Sequence, residues 1–334
     1  MTGRTMLHSL VRPLVRSREA GLLGLILLLL AAIAPFFPAF LQPHNLAGLL
    51  DDTALLILLA LGEMLVLLTR GVDLSIAANL AFTGMAVALL NQHHPGWGVL
   101  PVLGLSLVMG AALGALNGVL VWLLRIPSIV VTLGTLSIYR GAVYLASSGK
   151  WVNSNQMSPA FLGLVRTTIA GLTVLSWLAI LCALLVALFL RYTMRGRDLY
   201  AAGNNPDASA YAGIDTGVMQ FTAFTIAGMI AGLCGYLWVS RFAVAYTDIA
   251  SGFELQVIAA CVIGGVSISG GVGTVAGVVL GSLFLGVIKN ALPLVGISPF
   301  FQMAVSGAVI TAAVLINARG TRRAPLRILE RRTA

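Results

Sequence analysis

Long apolar runs separated by short polar connections extend over nearly the whole chain. A bilayer core needs roughly 20 apolar residues in helical form, and windows of that length predict about ten spans. Lipid offers backbone amides no hydrogen-bond partner, so continuous apolar runs favour α-helices, whereas a barrel requires alternating polarity. The predicted spans are residues 20–40, 46–69, 73–91, 99–124, 127–147, 169–190, 216–239, 254–271, 274–288 and 299–317.

The pattern therefore predicts an all-α, polytopic integral membrane protein. Two of its segments are weaker than the rest. A charge interrupts the span at residues 73–91, and glycines interrupt the span at 254–271. We expect broken or re-entrant helices at these two places, because irregular backbone at membrane depth must face protein or a wet cavity.

The positive charges predict the orientation. The chain is 59% hydrophobic and only 9% charged, with a formal net charge of +9. Because cytoplasmic connections carry an excess of Lys and Arg, the bias places both termini in the cytoplasm. The inside segments then hold Arg4, Arg12, Arg16, Arg18, Arg70, Arg125, Arg191, Arg195, Arg197, Arg319, Arg322, Arg323, Arg327, Arg331 and Arg332, and the outside segments hold Lys150, Arg166, Arg241 and Lys289.

The predicted organisation is a basic cytoplasmic segment at 1–19, a transmembrane domain at 20–318 with a cytoplasmic loop at 191–215, and a basic cytoplasmic tail at 319–334. Residues 1–34 imitate a secretory signal, with arginines, an apolar stretch and small residues. Pro35 directly after them is a poor context for cleavage, so we expect a retained first helix.

Enzymatic chemistry is not predicted. Paired catalytic carboxylates, a nucleophile with a base and a metal cluster are missing from the sequence, and no cofactor is expected. The glycine-rich run at 264–273 lacks the Gly-Lys-Ser or Gly-Lys-Thr ending of a phosphate-binding loop, since Lys150 and Lys289 are followed by Trp and Asn. Nucleic acid is not an expected partner either, because the arginines are scattered between apolar segments.

The polar stretch at 191–215 predicts a loop followed by a short helix. Asn204 or Asn205 can cap that helix, Pro206 suits its first position, Asp207 favours its positive end, and Gly213 can terminate it. Such a capped helix along the membrane surface is typical of a docking element. An ordinary polar connection is an equal alternative on composition alone.

Acidic residues beside apolar runs have two interpretations. Asp73 lies between two apolar segments, and Glu254 starts another. Each acid either complements the dipole at a helix N-terminus near the interface or contributes to a substrate pathway. For Asp73 the interfacial interpretation is favoured, because a buried carboxylate is costly.

Polar side chains within the spans also have two interpretations. Thr132, Thr135 and Tyr139 share one face of a helix, and Asn117 lies in the preceding span. They can bind a passing hydroxylated solute or join helices, which is the commoner role. The dense glycines around Gly264 and Gly265 favour close helix packing or an unwound turn that lines a cavity.

Five motifs in this order resemble the permeases of bacterial ABC importers for monosaccharides, the group of ribose, rhamnose and autoinducer-2 systems. They are residues 71–75 (GVDLS), 114–118 (GALNG), 127–135 (PSIVVTLGT), 196–204 (GRDLYAAGN) and 258–265 (IAACVIGG). The resemblance implies a permease dimer in the bacterial inner membrane, cytoplasmic ABC ATPase subunits and a periplasmic sugar-binding protein.

The resemblance also implies that residues 196–213 include the coupling helix that contacts the ATPase. The residues assigned to this contact are Arg197, Asp198, Tyr200, Gly203, Asn204, Asp207 and Ala208. Residues 133–141 (LGTLSIYRG) and 149–152 (GKWV) look most like rhamnose permeases, followed by autoinducer-2 permeases. An ion-coupled secondary transporter and a membrane-embedded enzyme are the alternative classes.

Overall fold

The computed structural model describes residues 18–296 and positions 301, 304, 307, 308 and 311. Residues 1–17, most of the predicted tenth span and the basic tail lie outside the described residues. The helices are α1 (Arg18–Ile33), α2 (Pro43–Leu68), α3 (Ile76–His93), α4 (Val99–Leu124), α5 (Ser128–Ser147), α6 (Pro159–Arg166), α7 (Val174–Tyr192), α8 (Met194–Asn204), α9 (Pro206–Tyr211), α10 (Thr216–Phe242), α11 (Phe253–Ile263) and α12 (Val275–Ala291).

Four two-residue strands form two small antiparallel pairs in the connections. β1 (Val152–Asn153) pairs with β4 (Val244–Ala245), and β2 (Thr168–Ile169) pairs with β3 (Leu172–Thr173). Short 3₁₀ turns occupy Pro38–Leu41, Ser154–Gln156 and Leu292–Val295. The described fold is therefore mostly helical, as expected.

Three predicted spans were wrong at one boundary. The span predicted at 20–40 stops at Ile33, because Pro35 and Pro38 cannot continue the helical hydrogen bonds. The span predicted at 169–190 begins only at Val174, after the β2–β3 hairpin. The span predicted at 254–271 ends at Ile263, where the chain turns through Gly264 and Gly265.

Helix α2 is the central element. Every residue from Thr53 to Leu68 is buried, and α10, α12, α7 and α11 pack around it. A helix that is apolar on all sides is buried either in protein or in a membrane, and these four helices bury α2 in protein. Helices α3 and α4 pack on α10, and α5 packs on α3, so the described helices together form a shell with α2 inside.

The shell presents apolar side chains outward. Five described helices are long and apolar enough to cross a membrane, namely Val99–Leu124, Ser128–Ser147, Val174–Tyr192, Thr216–Phe242 and Val275–Leu294. In the first of these only 22% of the most apolar window is buried, against 72% in Thr216–Phe242. A continuous exposed apolar surface of this kind is typical of contact with lipid.

Glycines bring α4 and α10 into backbone contact. Gly110 and Gly114 lie one turn apart on α4, and they face Gly228 and Gly232 on α10. Asn79 of α3 donates from Nδ2 to the carbonyl oxygens of Gly110 (3.1 Å) and Gly228 (3.5 Å), so one amide spans both helices. Small residues at such contacts let helices approach closely where lipid supplies no hydrophobic driving force.

The bundle has two polar ends. At the α8 end, Arg70 binds the carbonyls that terminate α8, and Arg125 lies near Arg70 around a shared cleft. At the α6 end, Arg241 forms ion pairs with Asp51 (2.6 Å) and Asp52, and Arg166 donates to the carbonyl of Arg241. Among the described residues, Arg70 and Arg125, which were predicted inside, thus lie at the opposite end from Arg166 and Arg241, which were predicted outside, and the side that faces the cytoplasm stays a prediction.

We expect Gly114→Ala to destabilise the protein by about 1–3 kcal/mol, the usual cost of overpacking. A Cβ at this position would lie 2.8 Å from the Cα of Gly228 and closer still to the carbonyl oxygen of Phe224. Unfolding of the purified protein in detergent measures the effect. Gly134→Ala is the matched control, because a Cβ there meets nothing within 4 Å, and equal stability of the two variants would contradict the prediction.

Candidate functional site

The segment between α7 and α10 is helical almost throughout, so the loop predicted before the short helix was wrong. Thr193 ends α7 and caps α8, because its hydroxyl accepts from the backbone N–H of Gly196 (2.9 Å). Residues 194–204 then form α8. Their polar sequence gives no apolar pattern from which a helix could be predicted.

Helix α9 has the predicted start and end. Of the two candidate caps, Asn205 is the one used, and its Oδ1 accepts from the N–H of Ala208 (3.1 Å). Pro206 occupies the first helical position, and Gly213 follows the helix with φ +81°. The N-terminus carries Asp207, which favours its positive dipole end.

The predicted coupling residues fall into two groups. Those exposed on the outer surface of α8 and α9 are Arg197, Asn204, Asp207 and Ala208, with Asp198 partly exposed. Beside them, Tyr211 at the end of α9 is 95% exposed. A fully exposed tyrosine on a short capped helix is available to a partner.

The other two coupling residues, Tyr200 and Gly203, point into the protein. The hydroxyl of Tyr200 donates to the carbonyl of Gly273 (2.8 Å), and burial raises the pKa of Tyr200, so the donor proton is retained. Gly203 lies directly against the carbonyl of Leu68 and the backbone nitrogen of Gly271, leaving no room for a Cβ. These two residues anchor α8 rather than forming its outer surface.

Three chain-distant segments meet at this point, which we call the junction: residues 68–70, 200–204 and 270–273. The N–H of Gly271 donates to the carbonyl of Leu68 (3.0 Å). Arg70 donates from Nε to the carbonyl of Gly203 (2.7 Å) and from Nη2 to that of Asn204 (3.1 Å). A guanidinium at the C-terminal end of α8 also complements its dipole.

Arg70 lies at the start of the non-helical break between α2 and α3, residues 69–75. This break leads to a buried polar cluster. Asp73 is 1% exposed, so its carboxylate lies inside the protein rather than at its surface. Its Oδ1 accepts from the N–H (2.9 Å) and hydroxyl (2.6 Å) of Ser75, next to the start of α3. Its own N–H donates to Oε1 of Glu63 (3.1 Å), which is fully buried in α2.

Asn117 joins this cluster from α4, where its Nδ2 donates to the hydroxyl of Ser75 (2.8 Å). Among the described residues, Oε2 of Glu63 and Oδ1 of Asn117 are buried and have no hydrogen-bond partner. Buried polar atoms without partners are costly, and in native proteins they often mark water or functional sites. We define the polar cluster as Glu63, Asp73, Ser75 and Asn117.

The three polar residues of α5 are buried and form helix contacts. Thr132 donates to the carbonyls of Ser128 (2.9 Å) and Val72 (3.1 Å), which joins α5 to the break. Tyr139 donates to the carbonyl of Leu113 (2.8 Å) on α4, one turn before Asn117. Thr135 bonds to its own helix. In this conformation the hydroxyls of Thr132 and Tyr139 therefore join α5 to neighbouring segments beside the polar cluster, and that of Thr135 does not.

Glu254, Gly264 and Gly265 do not join the polar cluster. Glu254 lies in the first turn of α11, as predicted for a helix start, and its buried Oε2 has no hydrogen-bond partner among the described residues. Gly264 packs against the backbone of Gly277 on α12, and Gly265 turns the chain with φ +87°. The predicted pathway residues thus occupy two separate regions.

Sequence reasoning assigned no role to Glu63, Asn79 or Arg70. Glu63 and Asn79 are single polar residues in apolar runs, and that signal predicts a buried partner without naming it. Arg70 was named only among the arginines predicted inside, yet its guanidinium binds a segment more than a hundred residues away. Only the fold shows such a contact.

Comparison with known proteins matches residues 45–314 to the family described as branched-chain amino acid transport system / permease component. No solved structure matches the chain. The autoinducer 2 import system permease protein LsrC of Enterobacter sp. (strain 638) is 36% identical over 92% of this chain and 89% of that protein.

Two further relatives agree. LsrC of Salmonella typhi is 35% identical over 91% of this chain and 86% of that protein. The L-arabinose ABC transporter permease protein AraH of Azospirillum brasilense is 34% identical over 90% of this chain and 87% of that protein. The apolar shell, the two polar ends and these matches lead to one conclusion: the chain belongs to the family of transport-system permease components whose model spans residues 45–314.

Proposed function

We propose that this chain is the membrane-spanning subunit of an ATP-driven importer in the bacterial inner membrane. It works with a cytoplasmic ABC ATPase, a periplasmic solute-binding protein and a second permease subunit, which is either a copy of this chain or a similar one. The relatives named as ABC or import-system permeases support this proposal. The observation that carries it is the junction, where the exposed coupling surface is bonded to the break between α2 and α3.

The three segments of the junction cannot easily move independently of one another. Gly203 touches the backbone of two other segments, and Arg70 holds the last carbonyls of α8 with two hydrogen bonds. A force applied to the outer surface of α8 and α9 therefore displaces residues 68–70 and 270–273 together. Rigid elements joined in this way transmit a domain movement to a distant segment.

The two segments that would be displaced belong to the two places where the helices of the bundle are interrupted, between α2 and α3 and between α11 and α12. Residues 69–75 lead directly to the polar cluster, and residues 264–274 connect α11 to α12. Non-helical backbone at membrane depth is typical of the regions that line or gate a transport path. We infer that ATP-driven movement of α8 opens and closes a path beside Asp73 and Asn117, while the solute crosses without covalent change.

The proposed solute is a monosaccharide or a similarly small compound. The motifs at 133–141 and 149–152 favour L-rhamnose. The names of the relatives favour autoinducer 2 or L-arabinose. The binding protein that delivers the solute is expected to decide among them.

Uptake into proteoliposomes tests the proposal. We expect the chain, reconstituted with its partner ABC ATPase and solute-binding protein, to accumulate one of labelled L-rhamnose, L-arabinose or autoinducer 2 only with ATP inside. Branched-chain amino acids serve as the comparison solutes. Uptake by this chain alone, driven by a proton or sodium gradient, would instead show a secondary transporter.

We expect Tyr211→Asp to weaken association with the ATPase at least tenfold, about the loss when an exposed tyrosine anchor is removed from an interface. Tyr211 is 95% exposed on α9, so the fold should tolerate the change. Co-purification at graded ATPase concentrations measures the loss. Tyr192→Asp, also exposed at the α8 end, is the control, and an equal effect of both variants would place the contact elsewhere.

We expect Arg70→Gln to separate ATP hydrolysis from transport. The variant loses the guanidinium bonds to Gly203 and Asn204 but leaves the outer surface of α8 and α9 unchanged. ATPase association and hydrolysis should stay within about twofold of the parent, while uptake falls about tenfold or more, the effect of removing about 1.4 kcal/mol of coupling. Arg195→Gln, an exposed arginine of α8, is the control. Normal uptake by Arg70→Gln would exclude the junction as the route of coupling.

A further inference from the structure

A cleft of about 690 Å³ lies at the α8 end between the end of α4, the start of α5 and the start of α10. The lining residues with polar groups include Arg70, Trp122, Arg125, Ser128, Asp215 and Gln220. Apolar side chains at 121, 126, 127 and 129 complete its walls. The cleft shares Arg70 with the junction but contains no residue of the polar cluster, and no step of the proposed transport cycle uses the space inside it.

The guanidinium groups of Arg70 and Arg125 make the cleft positively charged. Arg70 is fixed at one wall by its bonds to the carbonyls of α8. The side chain of Arg125 makes no hydrogen bond or ion pair with any residue that the structure describes. Both arginines have left-handed backbone conformations, with φ of 65° and 53°. Each of them follows the C-terminal end of a helix, where a residue in this conformation commonly ends the helix.

Asp215, the acidic residue in the cleft, already has hydrogen-bond donors of its own. Oδ1 of Asp215 accepts from the backbone N–H groups of Gly217 (2.9 Å) and Val218 (3.1 Å) at the start of α10. Its charge is therefore stabilised by the helix N-terminus, and it forms no ion pair with either arginine. The cleft retains one net positive charge from its two arginines and one aspartate.

The surroundings place the cleft at the boundary between lipid and water. Leu123 and Leu124 precede Arg125 and are each 61% exposed, and Val130 after Ser128 is 60% exposed. On membrane-spanning helices these side chains face the hydrocarbon. Trp122 lies at the same level, where tryptophan is enriched because its ring is both apolar and polar.

We propose that this cleft binds the phosphate group of an anionic phospholipid, whose acyl chains lie along the exposed apolar faces of α4 and α5. Arginine presents several N–H donors that match phosphate oxygens. A basic pocket between transmembrane helices at the cytoplasmic surface suits an anionic headgroup. This proposal rests on the membrane-spanning fold and not on the solute or the ATPase.

Lipid binding to the full-length protein tests the proposal. Native mass spectrometry in detergent compares phosphatidylglycerol with phosphatidylcholine of the same acyl chains. We expect the parent protein to prefer phosphatidylglycerol and Arg125→Gly to bind it about fivefold more weakly, the effect expected for one basic group near an anionic surface. Glycine suits the left-handed conformation at this helix end, so the fold should be retained. Arg125→Lys should bind better than Arg125→Gly.

Arg191→Ala is the matched control, since Arg191 lies at the same end but outside the cleft, against Tyr192. Equal binding of phosphatidylglycerol by the parent and Arg125→Gly would overturn the proposal, as would an equal loss in Arg191→Ala. If inorganic phosphate or glycerol phosphate displaces the lipid at micromolar concentration and requires Arg125, the ligand is a soluble phosphate and the lipid assignment is wrong.

Discussion

Direct backbone contact sets the distance between α4 and α10, and the positions of the α9 surface and of the cleft beside it follow from that distance. Gly110 and Gly114 leave no side chain between α4 and the glycines of α10. In lipid, where apolar side chains gain little by leaving the solvent, such close packing and a shared amide from Asn79 supply the attraction. The start of α10 follows α9 and the predicted coupling residues, and Arg125 follows the end of α4. A shift between these two helices would therefore move both the α9 surface and the cleft beside it.

Arg70 joins features that are far apart in the chain. Its guanidinium binds the last carbonyls of α8, its backbone begins the break that leads to the polar cluster, and its side chain forms one wall of the cleft beside Arg125. One residue thus contacts the proposed ATPase-facing segment, the proposed path and the proposed lipid site. Elements connected through a single fixed group have few independent positions, which favours switching between discrete arrangements over gradual deformation.

The sequence predicted the features that depend on local composition. Val99–Leu124 and Ser128–Ser147 agree with the apolar windows to within a residue, because the length of a span is set by the bilayer. The cap and end of α9 followed from Asn205, Pro206 and Gly213. Helix α8 was missed, since its helical form depends on Thr193 and on the packing of Gly203 against distant backbone. The burial of Asp73 depends on Glu63, Ser75 and Asn117 together, and no local pattern could place them in one cluster.

The complete burial of α2 also constrains how the protein is made. Helix α2 is synthesised long before α10, α11 and α12, which later cover it, and at roughly 5–20 residues per second the interval is on the order of ten seconds. During that time Glu63, which is fully buried in the folded protein, has none of these neighbours, and an ionisable side chain in a lipid-embedded segment is costly. We therefore expect α2 to reach its final environment only after the second half of the chain has been made.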